Sequence, residues 1–162
     1  MGFSKKDMVN LQKQLRATNK KITAAESCTG GLIASKITQI SGSSDIFNGG
    51  LIAYSNDIKS KYLNVSQQSL DNFGAVSKEV VMQMLDGALK MFDSDFAIAV
   101  SGIAGPNGGS EQKPVGTVVI GVGSRNGYKE TKVYHFSGTR NQIQIQSADK
   151  ALKKLKKLIK RP

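Results

Sequence analysis

A chain of 162 residues, 39% hydrophobic and 22% charged, can bury one core, leaves little room for a second domain and has no apolar run near the ~18 residues of a membrane span. One cysteine, Cys28, and one histidine, His135, exclude an intrachain disulfide and any familiar zinc ligand set, so the chemistry is expected to be metal-free or to use a borrowed cation. The formal net charge of +11 admits an anionic partner such as nucleic acid, a membrane surface or a phosphorylated metabolite. Met1 to Asp7 turns polar at once and shows no apolar signal region, which makes the cytoplasm the expected compartment.

Met8, Leu11 and Leu15 recur at helical spacing and predict a first helix over Asp7 to Arg16. Lys21 to Ala25 reads as a short strand, and Thr29-Gly30-Gly31 opens a helical pattern through Leu32, Ile33, Ile37 and Ile40. Ser27 therefore sits at a strand-to-helix turn. Phe47 to Tyr54, interrupted by Gly49-Gly50, predicts a second strand with a bulge or close backbone approach. Asn56 to Leu63 predicts a helix, and Ser77 to Phe92 a stronger one with Ser77 as its cap. Phe96 to Val100 is a continuous apolar run, as in a strand buried on both faces, and it leads into the Gly-rich turn Ser101 to Gly109. Gly116 to Gly123 and Lys129 to Phe136 predict two strands around the hairpin signal Asn126-Gly127. A last helix begins near Thr139. The alternation predicts an α/β chain: a single three-layer α/β/α domain over residues 1–162, with a mixed, mostly parallel sheet.

Much of the positive charge lies in that last helix, in Lys150, Lys153, Lys154, Lys156, Lys157, Lys160 and Arg161, interleaved with Ala151, Leu152, Leu155, Leu158 and Ile159. The favoured reading is a docked amphipathic helix with a solvated basic face; an anion-binding surface is the alternative.

Both Gly-rich turns follow predicted strands, where parallel sheets bind ligands, so they are expected to share a cleft. Ser27 is either a nucleophile or an ordinary helix cap. A serine nucleophile needs a base. His135 lies far along the chain in a strand pattern and reads as a structural or sheet-surface residue. A lysine can replace it when desolvation lowers its pKa, and Lys59, Lys61 and Lys113 are the candidates. Cys28 is a competing nucleophile because a helix N-terminus lowers thiol pKa, although a small buried residue is the preferred reading. Glu26 is positioned to orient Lys59 or accept a substrate hydroxyl, yet strand alternation turns its side chain away from Ser27.

In its motifs the sequence resembles the CinA C-terminal domain family. The matching pieces are Ala25 to Gly31, Gly49 to Asn56 with Lys59, Gly74 to Ser77, Ser101 to Pro106, Lys113 to Thr117, and Phe136-Ser137-Gly138 with Arg140, in family order over nearly the whole chain. The resemblance implies an amidohydrolase that needs no metal or cofactor and converts nicotinamide mononucleotide to nicotinate mononucleotide and ammonia. By the same resemblance Ser27 is the nucleophile, Lys59 the general base and Tyr54 a supporting catalytic residue. Backbone N–H groups near Thr29, Gly30 and Gly31 are expected to hold the oxyanion, with Ser101, Gly102, Gly105 and Arg140 lining the nucleotide site and Arg140 meeting the phosphate. Neither nucleic acid nor membrane is an expected partner, and a homodimer is the family expectation. Two departures stand out: Asn107 where the family usually has Asp after Gly-Pro, and Asn64 where it usually has Gly.

Overall fold

Ser and Thr caps, apolar periodicity and glycine turns set the elements of the chain, and a computed structural model describes residues 2–161. Helix α1 (Lys5–Ala17) starts at a capping box in which Ser4 and Asp7 exchange side-chain and backbone hydrogen bonds. Strand β1 (Ile22–Glu26) leads into α2 (Leu32–Thr38), and a short strand β2 (Leu51–Ile52) follows. Three helices come next: α3 (Asn56–Leu63), α4 (Gln67–Phe73) and α5 (Lys78–Met91), capped in turn by Ser55, Ser66 and Ser77. The chain closes with β3 (Phe96–Gly102), the hairpin β4 (Thr117–Ser124) and β5 (Lys129–His135), and α6 (Arg140–Ile159), capped by Thr139.

The sheet order is β2-β1-β3-β4-β5. β1 pairs in parallel with β2 and β3, whereas β3–β4 and β4–β5 are antiparallel. The sheet is thus mixed as expected, with parallel pairing confined to the β2-β1-β3 half. That half matters for function, because it brings the carboxyl ends of three strands to one edge.

Alternation along β3 divides the core. Ile98 and Val100 pack with residues of α1, α2 and α6, while Ala97 and Ala99 face α5 and its neighbours, including Leu63, Val81, Met84 and Leu85. These are the two helical layers of the predicted three-layer architecture. Among the described residues no helix is long and apolar enough to cross a membrane.

The predicted strand Phe47 to Tyr54 is shorter in the structure: only Leu51–Ile52 pairs as a strand, with an isolated bridge from Phe47 to Ile22. Gly50 explains the interruption, since a Cβ there would lie 2.8 Å from the carbonyl oxygen of Ala24. α4 was not visible in the pattern, because Leu70 is its one buried side chain and its first turn is entirely polar. Asn64 caps α3 at φ 57, in the left-handed region that favours Gly and that Asn tolerates best among other residues. The departure from the family pattern therefore preserves the turn.

α3 is held where it is by a close approach to α5. A methyl group at Gly87 would collide with the Leu63 backbone, lying 2.6 Å from its Cα. Gly87→Ala gains about 1 kcal/mol in helix propensity but forces the two helices apart, and overpacking costs roughly 1–3 kcal/mol. We expect a net loss of thermal stability; a raised melting temperature would show that the contact is not tight.

Candidate active site

β1 ends on Glu26, and Ser27 begins the turn, tied back to the sheet by its N–H to the Val100 carbonyl at 3.0 Å. From the other side of the cleft α3 delivers Lys59. Its Nζ lies 3.0 Å from Ser27 Oγ and donates to the Tyr54 carbonyl at 3.3 Å. Lys59 is only 1% exposed and is the largest fully buried side chain, and Ser27 is buried beside it. Burial pushes the Lys59 ammonium below its ordinary pKa, because the charged form loses its water. Among the described residues no carboxylate forms an ion pair with it.

The other candidate bases lie elsewhere. Lys61 rests over the Tyr62 ring at 5.4 Å, and Lys113 donates to the Phe73 carbonyl at 2.7 Å. His135 is exposed on β5 with its Nδ1 3.5 Å from Thr117 Oγ1, in keeping with its reading as a sheet-surface residue. Cys28 is buried, and that burial pushes its thiol up to about 12, the opposite of an activated nucleophile. The helix N-terminus does not offset this effect.

Glu26 provides the reason. Its buried carboxylate accepts from Thr29 Oγ1 at 2.7 Å and from the N–H groups of Gly31, Ile33 and Ala34 at 3.2, 3.0 and 2.9 Å. The positive end of α2 is thereby matched from within the protein. This corrects two expectations. Glu26 bonds to the start of α2 and not to Lys59, and the Gly31 N–H expected to hold an oxyanion is given to Glu26, as is the Thr29 hydroxyl. Gly30 likewise gives its N–H to the Ser27 carbonyl at 3.0 Å. Thr29, Gly30 and Gly31 shape the turn from beneath and do not line the cleft.

A cavity of about 270 Å³ opens over Ser27 and Lys59, walled by Cys28, Tyr54 and the turn from Ser101 to Gly105. Ser101 is buried and anchors its hydroxyl on the Ala75 carbonyl at 2.8 Å, so its role in the wall is structural. Gly102 and Gly105 present backbone to the cavity. Arg140, the first residue of α6, reaches the rim: Nη1 donates to the Gly105 carbonyl at 2.7 Å and Nη2 to the Tyr54 hydroxyl at 2.8 Å. Tyr54 supports Lys59 through its carbonyl, while its ring, 59% exposed, forms the rim. Ala75, Val76, Asn56 and Asn107 also line the cavity and carried no assignment from sequence. The Gly74–Ser77 segment was visible as a matched motif, but nothing in its residue types signalled a wall.

The CinA C-terminal domain model matches residues 5–159. The chain belongs to that family. A CinA-like protein of Thermotoga neapolitana is 44% identical over 160 residues, which cover 98% of this chain and 39% of that protein. A CinA-like protein of Fervidobacterium nodosum is 51% identical over 129 residues, covering 80% and 31%. The chain thus spans about a third to two fifths of the length of the curated relatives it matches. Among solved structures, the competence/damage inducible protein CihA from Agrobacterium tumefaciens superposes with a TM-score of 0.93 at 37% identity, covering 97% of this chain and 95% of that one. A CinA superfamily protein from Escherichia coli gives 0.88 at 33% identity, covering 96% and 90%. The α/β architecture is therefore the family's own.

A lysine held below its ordinary pKa by burial opposes folding wherever it is charged. The folded state binds that proton less readily than the unfolded chain, so stability rises with pH between the folded pKa and 10.5, and the penalty is fully present below that window. Lys59→Met removes the penalty and keeps the packing. We expect it to raise the melting temperature at neutral pH and to flatten the rise of stability in alkali; a lower melting temperature at neutral pH would contradict the assignment.

Proposed function

We infer that this chain hydrolyses the carboxamide of nicotinamide mononucleotide, giving nicotinate mononucleotide and ammonia through a serine/lysine mechanism. The observation that carries the reading is the buried Lys59 amine 3.0 Å from Ser27 Oγ, at the floor of the cavity, with no competing base nearby. Burial makes the neutral amine accessible, and only the neutral amine can accept the serine proton.

The steps follow from that pair. Ser27 passes its hydroxyl proton to Lys59 as Oγ attacks the carboxamide carbon. Lys59 then returns the proton to the departing nitrogen, so that ammonia leaves and an ester joins the nicotinoyl group to Ser27. Water enters, gives a proton to Lys59 and attacks the ester carbon; the same proton restores the Ser27 hydroxyl as the acid departs. With α2 matched by Glu26, the donors for the oxyanion come from the backbone that lines the cavity, at Cys28 and across the Gly102–Gly105 turn. Arg140 remains the residue for the phosphate, since a guanidinium has five donors and two are engaged at the rim.

Purified protein incubated with nicotinamide mononucleotide is expected to release ammonia in the presence of a chelator. Ser27→Ala should abolish release while the protein still binds the nucleotide. Absence of turnover by the unsubstituted protein at every pH, with binding retained, would leave a nucleotide-binding module in place of an enzyme. The acid limb of kcat/KM should rise with pH through the Lys59 titration, with its midpoint below 10.5. In Lys59→Ala that limb should vanish with most of the rate, and a limb that persists unchanged would remove Lys59 from the role.

Glu26→Gln separates positioning from binding. Glutamine cannot accept from all four donors, and its amide group faces N–H groups. We expect a large fall in kcat with little change in KM, because the turn that aims Ser27 loosens while the nucleotide walls stay. An unchanged kcat would confine Glu26 to a purely structural role.

A further inference from the structure

A cavity of about 690 Å³ lies away from Ser27 between the second half of α6 and the edge strand β5. Eight of its eleven lining residues are lysine or arginine, and only Glu130 is acidic. A solvated basic face would leave such side chains extended into water. Here Lys150 on α6 is half-buried and, with Lys132 from β5, converges on one ring: their ammonium groups lie 5.6 and 5.4 Å from the centroid of Tyr134. Tyr134 is itself stacked on Phe136 with centroids 5.6 Å apart, so the floor of the groove is fixed.

Two ion pairs lie within the groove, Lys154 with Glu130 at 2.6 Å and Lys156 with Asp7 at 3.2 Å, and others flank its ends. Beyond Arg161 the groove adjoins a second cavity, with which it shares Leu158 and Arg161. There the cations are matched: Arg125 pairs with Asp93 at 2.7 Å, and Lys20 lies 3.9 Å from Asp95. At the other end, beside Lys150, Asp149 holds Lys36 at 3.1 Å. Within the groove Lys132 and Lys150 meet the Tyr134 ring, Arg161 at its end rests over Tyr128 of the adjoining cavity, and among the described residues none of the three pairs with a carboxylate. From Lys150 to Lys160 the helix rises about 15 Å. A bounded pocket of this volume falls within the range of small-ligand sites, and like charges gathered in a concave surface focus a field that favours an anion carrying several charges. A polynucleotide would need a basic track that continues, and a membrane surface would need exposed apolar anchors, whereas Leu158 in the lining is only 7% exposed.

We propose that the groove between α6 and β5 is a second binding site, separate from the Ser27 cleft, for a small anion bearing two or more phosphate groups in series. The site does not depend on the amidase reading, and its test needs no turnover.

Isothermal titration of the full chain with inorganic triphosphate, and separately with ATP, reads the site directly. Both are expected to bind more tightly than orthophosphate, with affinity that falls as salt is raised. ATP binding more tightly than triphosphate would mark a nucleotide as the source, and equal affinities would mark the phosphate chain alone. Lys150→Glu combined with Lys157→Glu should weaken triphosphate by roughly tenfold or more, and the neutral pair Lys150→Gln with Lys157→Gln by less. Reversing two exposed lysines on α5, Lys78→Glu with Lys90→Glu, should leave binding close to that of the unsubstituted chain. Circular dichroism melts confirm that each variant is folded, and the neutral pair carries the test if charge reversal unfolds the chain. Triphosphate binding no tighter than orthophosphate, equal losses in the α5 control, or binding confined to a single-stranded oligonucleotide of roughly 20 nucleotides would overturn the proposal.

Discussion

An amine sealed from water 3.0 Å from a serine hydroxyl, with no carboxylate paired to it, is the constraint on which the site depends. A charged lysine there would need a counter-ion, and the nearest acid in sequence to Ser27 is turned the other way. Glu26 binds the N-terminus of α2 with four hydrogen bonds, which removes it as a partner for Lys59 and leaves burial as the largest influence on the amine. Cys28 supplies no negative charge either, because its thiol is held protonated by the same apolar surroundings. Burial of the pair thus lowers the Lys59 pKa and makes its neutral form easier to reach.

That disposition follows from topology. Parallel pairing of β2, β1 and β3 brings Glu26, Ile52 and Gly102 to one edge of the sheet, and the chain leaving each strand forms a wall of the cleft. β4 and β5 contribute no residue to the lining of the Ser27 cavity. They run antiparallel, extend the sheet, and carry the surface on which the far half of α6 rests. The close contact of Gly87 with Leu63 and the left-handed cap at Asn64 both act at the carboxyl end of α3. They fix the helix that carries Lys59, so distant packing sets the Lys59–Ser27 distance.

Sequence patterns revealed the elements better than the contacts between them. Apolar periodicity was enough for α1 and α6, with the Ser77 cap added for α5, a continuous apolar run for β3 and the Asn126-Gly127 hairpin signal for β4 and β5, because burial of a repeating face leaves a repeating signal. α4 left none, having one buried side chain, and β2 was overextended because Gly50 approaches Ala24 in a way that depends on a neighbouring strand. At the site, the scarcity of histidine pointed towards lysine and the matched motifs singled out Lys59. What remained illegible was direction. Thr29-Gly30-Gly31 looks like an anion cradle in one dimension, and only the three-dimensional turn shows the Thr29 hydroxyl and Gly31 N–H given to Glu26 and the Gly30 N–H to the Ser27 carbonyl. Ser101 and Tyr54 illustrate the same limit: one faces the wall through a structural hydrogen bond, and the other supports Lys59 through its carbonyl.

The charge of the chain gains a different meaning once it is placed. A total of +11 spread over a surface would speak only for solubility, but eight of the cations line one groove, where Glu130 and Asp7 pair with Lys154 and Lys156. Elsewhere the basic side chains of Arg16, Arg125 and Lys129 sit against Asp45, Asp93 and Asp86. Along the far half of α6, Glu130 and Asp7 pair with Lys154 and Lys156, while among the described residues Lys132 and Lys150 pair with no carboxylate and rest over Tyr134. Mutual repulsion among gathered ammonium groups opposes the folded state, and it persists in this chain at one bounded place. The same helix begins at Arg140 on the rim of the Ser27 cleft, so the two proposed anions would meet opposite ends of α6: a single phosphate where one guanidinium is held by Gly105 and Tyr54, and a chain of phosphates where Lys132 and Lys150 converge on Tyr134.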